Sequence, residues 1–288
     1  MPTISIVTVC KGRLAHLKDS LPSFLAQPDC EVIVVDYDCP EGASEFVREN
    51  HPAAKVVKLE NRPFFNNWNA RNEGAKHATG KLLAFLDADV VLADGFAEWV
   101  SENIGPDNVG KMPSATSQTT HRDEKLSEAS NKLEGVQVMH KSFFDKLGGY
   151  DDLLQGWGAG GDMDMVDRMG FHNGTLVTLP EELIAKGIQH SMDERTKFHQ
   201  TKSTAHTHLV GILYRKSKLA MMRLFDKELD TDDRKRLLTM AENASKKRTA
   251  PNSTHIEMLV TSEETPGANY KIEQQLITRV ILKDREAI

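Results

Sequence analysis

The sequence predicts an α/β fold: a doubly wound, mostly parallel sheet flanked by helices. Three observations lead there. Short apolar runs alternate with stretches of helical periodicity across residues 4–86. The links between them are short, as in consecutive β-α-β units. The fourth run, Leu82-Leu83-Ala84-Phe85-Leu86, lies between Lys81 and Asp87-Ala88-Asp89, the pattern of a buried parallel strand that surfaces on acid.

Taken in order, Ile4, Ile6, Val7 and Val9 mark a first strand. Leu14, Leu17, Leu21, Phe24 and Leu25 recur at helical spacing, with Pro22 expected to kink or break the last turn. Residues 31–35 form a second buried strand ending at Asp36, residues 43–50 a helix and residues 54–59 a third strand. The spacing predicts a helix over 66–79 closed by Gly80, and Gly74 within it points to close helix-on-sheet packing. Residues 111–131 are polar and poor in large apolar groups, which predicts a mobile loop or flap. A strand over 135–140, a short helix from Ser142 to Gly148-Gly149, a helix from about Asp162 and a strand over 175–179 follow. Residues 205–247 have helical periodicity, residues 246–253 read as a linker, and the last 35 residues mix short apolar runs with charge.

The totals describe an ordinary soluble chain: 288 residues, 39% hydrophobic, 27% charged. A net charge of −6 argues against nucleic-acid binding by bulk electrostatics. Cys10, Cys30 and Cys39 are odd in number and form no CxxC, so reduced thiols in a cytoplasmic protein are expected. No run approaches the ~20 apolar residues of a spanning helix, so any membrane contact is expected to be peripheral.

Ligands of open α/β sheets bind outside the carboxyl ends of the strands. Asp87 and Asp89 at such an edge are costly unless a cation joins them. A hard divalent ion with a phosphate-bearing ligand removes that cost. Thr8-Val9-Cys10-Lys11-Gly12-Arg13 leaves the first strand at the same edge, where Arg13 either meets a diphosphate or stays a solvated cation. Asp36-Tyr37-Asp38 leaves the second, where an acid either accepts from a ribose or base, or caps a turn. Arg71 lies on the helix before the acidic strand, within reach of an acid or phosphate. Gly156-Trp157-Gly158-Ala159-Gly160-Gly161-Asp162-Met163-Asp164 sets a flat indole among glycines and a carboxylate at a helix start. Trp157 suits a sugar face, and Asp162 is placed to act as a general base. His190 is a possible ligand for an ion on Asp89, with His199, His206 and His208 as competitors.

Together these strings resemble the GT-A glycosyltransferases, family-2-type, with a galactosyltransferase-like C-terminal module. The matching segments are SIVTVCKGRLAHLKDSLPSF, VIVVDYDCPEG, WNARNEGAKHATGKLLAFLDADV, FFDKLGGYDD and GWGAGGDMDM, about residues 5–165, with His190 extending the match. The resemblance implies a Rossmann-like catalytic domain over 1–204, its nucleotide-sugar half about 1–110 and its acceptor half about 111–204. A mainly helical extension over 205–288 would serve the acceptor or a homodimer contact.

The resemblance further implies that Thr8, Arg13, Asp36, Asp38, Arg71 and Asp87 border the donor. Asp89 and His190, with Asp87 as a further candidate, hold Mn²⁺ or Mg²⁺ on its diphosphate. Trp157 and Gly158 receive the acceptor, and Asp162 is the base with Asp164 in reserve. The flap over 111–131 would close on the donor. Relatives usually carry Gly-Trp-Gly-x-Glu-Asp. This chain is one residue longer there and lacks the Glu, which leaves the base and the acceptor open. The implied reaction is metal-dependent transfer from a nucleotide sugar, a UDP-sugar first, to a glycan, lipid-linked or small-molecule hydroxyl, with inversion favoured. Retaining transfer, nucleotidyl transfer and non-catalytic nucleotide-sugar binding are the alternatives. The nucleotidyl option is poorly supported, because residues 10–13 lack a Gly-rich basic triphosphate loop.

Overall fold

The computed structural model describes residues 2–113, 136–246, 253–264 and 272–283. The flap expected over 111–131 therefore lies, from residue 114 on, outside the described residues.

Strand β1 (Ile4–Cys10) leads through helix α1 (Leu14–Leu25) to β2 (Cys30–Tyr37), then α2 (Ala43–Asn50), β3 (Lys55–Leu59), α3 (Asn67–Lys76) and β4 (Leu82–Asp87). β5 (Val90–Leu92), α4 (Phe96–Asn103), β6 (Asn108–Lys111), β7 (Gln137–His140), α5 (Lys141–Lys146), α6 (Gly161–Phe171), β8 (Thr175–Thr178) and β9 (Ile184–Gly187) complete the sheet region. The main sheet has seven strands in the order β3-β2-β1-β4-β7-β6-β8. The pairs β1–β2, β1–β4, β2–β3 and β6–β8 are parallel, and β7 runs antiparallel to β4 and β6.

Chain direction across the sheet reverses beside β1, with β2 on one side and β4 on the other. Such a switch point opens a crevice at the carboxyl edge. The registers Cys10↔Asp36 and Val9↔Asp87 bring the ends of all three strands to that crevice.

Alternation along buried strands builds a core on each face. Ile4, Ile6, Val32, Val34, Leu82 and Ala84 pack against Leu17, Leu21 and Phe24 of α1. Val7, Val9, Ile33, Val35, Leu83 and Phe85 pack on the opposite face with Ala70 of α3, Phe143 and Phe144 of α5, and Met165 of α6. A Cβ added at Gly74 of α3 would lie 2.4 Å from Val7 Cγ1 and 2.8 Å from Val35 Cγ2, so the expected close packing is present. Gly74→Ala is expected to lower stability by about 1–3 kcal/mol through overpacking, read as the midpoint shift in urea unfolding.

Two local expectations are corrected. α1 continues through Pro22 to Leu25 rather than breaking. α3 stops at Lys76, not Thr79, and Gly80 is not its cap. The Glu31 carboxylate draws the chain out of the helix by accepting from Thr79 N at 2.6 Å and Gly80 N at 3.2 Å, while Ser5 Oγ also accepts from Gly80 N. The C-terminal region holds helices and a ribbon. A short helix α7 (Met192–Thr196) precedes α8 (Thr204–Phe225) and α9 (Thr231–Ser245), and then comes an antiparallel ribbon of β10 (Ser253–Glu264) and β11 (Ile272–Lys283). Around Leu259 the side chains alternate as a half-buried strand requires: Met258 and Val260 are buried and Leu259 is exposed.

The extension is fastened to the sheet region by a third apolar cluster. Leu154 and Ala159 of the glycine-rich loop join Leu209, Leu213 and Tyr214 of α8, Leu237 and Ala241 of α9, and Met258 and Val260 of β10. Beside it lies a buried charge network. Lys218 Nζ sits 2.6 Å from Asp151 Oδ2 and 2.5 Å from Asp164 Oδ1, while Arg234 and Tyr214 also reach Asp151.

Burial alone would raise the Asp151 carboxyl, but Lys218 first, then Tyr214 and Arg234, outweigh it and hold the group at about 2. A carboxyl depressed on folding contributes stability above its ordinary value and loses it as pH falls through the folded value. Roughly 2 kcal/mol is therefore expected to disappear between about pH 4 and pH 2. Acid titration of the folded fraction checks this: Asp151→Asn should flatten that part of the profile.

Candidate active site

β4 delivers the acidic pair to the crevice. Asp87 ends the strand, and its Oδ1 accepts from Arg71 Nη2 at 2.7 Å. Arg71 is only 2% exposed, and its guanidinium carbon lies 5.6 Å from the Trp68 ring, 5.8 Å from Phe85 and 5.7 Å from Tyr150. A cation in such a box keeps its charge by facing ring planes and one carboxylate.

Asp89 lies just beyond, and His190 meets it. The two residues are brought together by a two-stranded sheet in which β5 pairs with β9, Val90 opposite Gly187, and by Ile188 N donating to Asp89 O at 2.7 Å. His190 Nε2 then lies 2.6 Å from Asp89 Oδ2. Arg13 Nη1 reaches the same oxygen at 3.5 Å. Burial works against ionisation of Asp89, but the His190 hydrogen bond and the nearby Arg13 outweigh it and hold the carboxyl below its ordinary range.

The remaining predicted donor residues divide into two groups. Arg13, Asp38 and Asp87 are partly exposed at the crevice. Asp38 Oδ2 accepts from Arg62 N at 2.9 Å. Thr8 and Asp36 are sealed in. Thr8 is fully buried under the site, with no hydrogen-bond partner for its hydroxyl. Asp36 is 1% exposed and spends its oxygens on Cys39 N at 2.7 Å and on Ser44 N and Oγ at 2.8 and 2.5 Å, tying the end of β2 to α2. These three bonds hold the turn after β2 in place. Lys11 is likewise occupied, donating to the carbonyls of Tyr37, Asp38 and Arg62.

Across the crevice, the loop before α6 carries positive φ at Gly156 (89°), Gly158 (82°) and Gly160 (76°), so its course depends on residues without a Cβ. Thr207 Oγ1 donates to Trp157 O at 2.5 Å and fixes the loop to α8. The Arg195 guanidinium lies 5.3 Å from the Trp157 ring. His208 approaches the Gly158 carbonyl at 3.4 Å.

Asp162, half-buried in the first turn of α6, pairs through Oδ2 with Lys111 Nζ at 2.7 Å. Asp164 is fully buried between Arg168 and Lys218. It holds α6 to α8 and has no path to an acceptor, so the reserve assignment is withdrawn on geometry.

A hydrogen-bonded chain joins the two halves of the site. Gln137 Nε2 donates to Asp162 O at 3.1 Å, Tyr150 OH donates to Gln137 Oε1 at 2.8 Å, and Arg71 Nη1 lies 3.5 Å from Tyr150 OH before reaching Asp87. Gln137 lay in no matching segment, and Tyr150 lay in FFDKLGGYDD without being read as a site residue. His16, Lys111 and Arg195 were also missed. His16 stacks on His190 with ring centroids 5.5 Å apart, and Arg195 Nε donates to His190 Nδ1 at 3.3 Å. Only the helical offset of three from Arg13 could have pointed to His16. Of the competing histidines, His199 is buried on Phe65 and His206 meets Ser245, away from Asp89.

Beside the Trp157 loop, a cavity of about 250 Å³ opens between that loop, α8 and α9. Phe65, Leu154 and Val210 give it apolar walls, and Gln155, Thr201 and Glu242 give it polar ones.

Among the described residues, no three His, Cys, Asp or Glu converge as a self-sufficient metal cage. One carboxylate and one imidazole meeting at 2.6 Å do fit a divalent ion whose other ligands are phosphate oxygens.

Comparison with known proteins bears on the fold and on the family resemblance. Residues 5–139 match the family model described as glycosyl transferase family 2, and residues 120–193 match one described as the N-terminal domain of galactosyltransferase. The O-antigen biosynthesis protein RfbC of Myxococcus xanthus is 32% identical over 109 residues, covering 35% of this chain and 8% of that protein. The chain thus spans under a tenth of the length of this curated relative.

Three solved structures share the fold. The mannosyltransferase PcManGT of Pyrobaculum calidifontis, in complex with GDP-Man and Mn²⁺, superposes with a TM-score of 0.52 at 16% identity over 85% of this chain and 70% of that one. S. aureus TarS 1–349 gives 0.53 at 14% over 85% and 71%. GalNAc-T7 with UDP, GalNAc and Mn²⁺ gives 0.53 at 18% over 84% and 54%. No described helix is long and apolar enough to cross a membrane. With an acid-tipped β4 at the switch point, residues 5–193 match the glycosyl transferase family 2 model and then the galactosyltransferase model in order, on the GT-A fold that the solved neighbours share.

Proposed function

We propose that this chain transfers a hexose from a nucleoside-diphosphate sugar, a UDP-sugar first, to an acceptor hydroxyl with inversion. The meeting of Asp89 and His190 at the switch point carries the proposal. Mn²⁺ or Mg²⁺ held by these two residues, when bound, neutralises charge on the departing nucleoside diphosphate. Solved neighbours captured with GDP-Man or UDP and with Mn²⁺ support this reading.

The chain's own groups have distinct tasks. Arg13 and Asp38 line the nucleotide side of the crevice. Asp87, held by buried Arg71, presents its second oxygen to the ribose or the transferred sugar. Asp162 takes the proton of the acceptor hydroxyl as that oxygen attacks the anomeric carbon. Lys111, paired with it at 2.7 Å, holds the carboxylate in place. The transition state carries oxocarbenium character, and a base opposite the leaving group gives inversion.

Trp157 and Gly158 form the acceptor platform, and the neighbouring 250 Å³ cavity takes a further part of a glycan, lipid-linked or small-molecule acceptor. The three cysteines fit work in a reducing, cytoplasmic setting.

The test is released UDP or GDP measured against a donor panel with Mn²⁺, with and without candidate acceptors. Asp162→Asn is expected to leave nucleotide affinity unchanged while lowering kcat by about 10²–10⁴-fold, the span of a lost general base. Full activity in that variant would move the base elsewhere. Saturable donor binding without turnover on any acceptor would make the chain a binding protein.

A further inference from the structure

Two of the three thiols face one another where β1 and β2 leave the sheet. Cys10 Sγ and Cys39 Sγ are 3.8 Å apart. Cys10 closes β1 and is fully buried, whereas Cys39 sits partly exposed in the turn that follows β2. The main chain around Cys39 is held in place: its N–H donates to Asp36 Oδ1 at 2.7 Å, and Gly42 N donates to Cys39 O at 3.4 Å. The Cys39 sulfur also accepts from Gly12 N at 3.2 Å, so it anchors the Lys11-Gly12-Arg13 turn on the nucleotide side of the crevice. None of this contributes to the transfer chemistry above.

We propose that Cys39 and Cys10 form a peroxide-sensitive modification site, with Cys39 the attacking thiol and Cys10 its resolving partner, closing a reversible disulfide. Donation from Cys10, then from the amides of Gly12 and Glu41, outweighs burial and holds the Cys39 thiol at about 6, so it is mostly thiolate at neutral pH. Cys10 is pushed up by its bond to Cys39 and by burial, and remains a thiol. Cys30 provides an internal comparison, since burial raises it to about 12 and leaves it a poor nucleophile. A low-pKa, accessible thiol beside a second cysteine is the usual arrangement of a redox-sensitive pair.

The step balances with hydrogen peroxide as the oxidant. The Cys39 thiolate attacks one peroxide oxygen, the O–O bond breaks, and hydroxide leaves and is protonated to water, giving the sulfenic acid. The Cys10 sulfur then displaces the sulfenic oxygen, which departs as a second water with the Cys10 proton. Net, two thiols and one peroxide give one disulfide and two waters. A dithiol reverses the bond by exchange. Closing 3.8 Å to the roughly 2.05 Å of an S–S bond needs only a small movement of the Cys39 turn. That movement withdraws the acceptor of Gly12 N and loosens Arg13, which reaches Asp89. Resting on the glycosyltransferase reading, the oxidised form is expected to bind UDP about tenfold more weakly.

The experiment treats the reduced chain with a few equivalents of hydrogen peroxide, alkylates what remains free, and maps unreduced peptides by mass spectrometry. Expected is a Cys10–Cys39 linked peptide two hydrogens lighter than its parts, reversed by dithiothreitol, with Cys30 still alkylated. Cys10→Ser should instead leave a Cys39 sulfenic acid trapped by dimedone, and Cys39→Ser should leave Cys10 unoxidised. Cys39 oxidising no faster than Cys30, or forming no link to Cys10, overturns the site. Calorimetry with UDP and Mn²⁺ on both forms reads the consequence, and equal affinity overturns the coupling to nucleotide. If the reduced chain binds neither UDP nor GDP, the glycosyltransferase reading fails, while the peptide map still decides the thiol pair.

Discussion

Asp89→Asn is expected to abolish Mn²⁺-dependent binding of UDP and to cut transfer by at least about 10³-fold, which is about 4 kcal/mol of transition-state stabilisation. The reasoning is local. The substitution keeps the size of the side chain and an oxygen able to accept from His190, so the contact at 2.6 Å and the β5–β9 pairing survive. Only the charge is lost, together with its attraction for Arg13 and for a divalent ion. The chain should therefore fold as before, with a slightly lowered melting temperature, and lose the difference in UDP affinity between Mn²⁺ and EDTA. An intact Mn²⁺ effect in Asp89→Asn would count decisively against the metal role of this carboxylate. His190→Ala should follow the same pattern more weakly, because the carboxylate remains.

Lys218→Met is expected to produce the largest loss of stability of any single change outside the crevice. Lys218 is 2% exposed and is the common cation of Asp151 and Asp164. Methionine fills the space but leaves two buried carboxylates short of a positive charge. Breaking a buried pair in this way costs about 3–5 kcal/mol. For a chain of this size that lowers the melting temperature by about 10 °C. The same strain reaches function: α6, which carries Asp162, and the loop that carries Trp157 both rest on α8. Adding Asp164→Asn to Lys218→Met should recover part of the loss by removing one unpaired charge, and differential scanning calorimetry on the two variants measures the recovery. A double variant no more stable than the single one would show that the lysine stem, not its charge, is what matters.

Much of the nucleotide half was legible before any coordinates. Strands β2 and β4 carry near-continuous apolar runs, and burial on both faces of a parallel sheet makes that pattern favourable. Gly74 declared a close approach because glycine inside a helix is otherwise a net cost. Asp87 and Asp89 were readable as site residues because acids at the end of a buried strand require a partner. β5, α4, β6, β9 and α7, three to eight residues long, were not read. The β10–β11 ribbon was missed as well, since alternation around Leu259 is brief and set among charges.

The two sealed residues, Thr8 and Asp36, mark another limit. A motif gives the type of a residue and its place along the strand. Whether its side chain meets solvent or the underside of a helix depends on what packs above it. Asp36 is consumed by Ser44 and Cys39, a choice made by the turn geometry of residues 37–43. Asp162 and Asp164 differ by two positions on one helix, and helical rotation sends one to Lys111 at the crevice and the other into the α8 interface.

By itself, then, the chain order specified a doubly wound sheet and an acidic carboxyl edge, because hydrophobic period and strand-end chemistry are local properties. Tertiary structure alone decided that residue 190 meets residue 89, that Gln137 and Tyr150 bridge Asp162 to Arg71, and that Cys39 faces Cys10. Those encounters join segments separated by up to 101 positions. They are set by strand register and by buried charge pairing, which no sequence window contains.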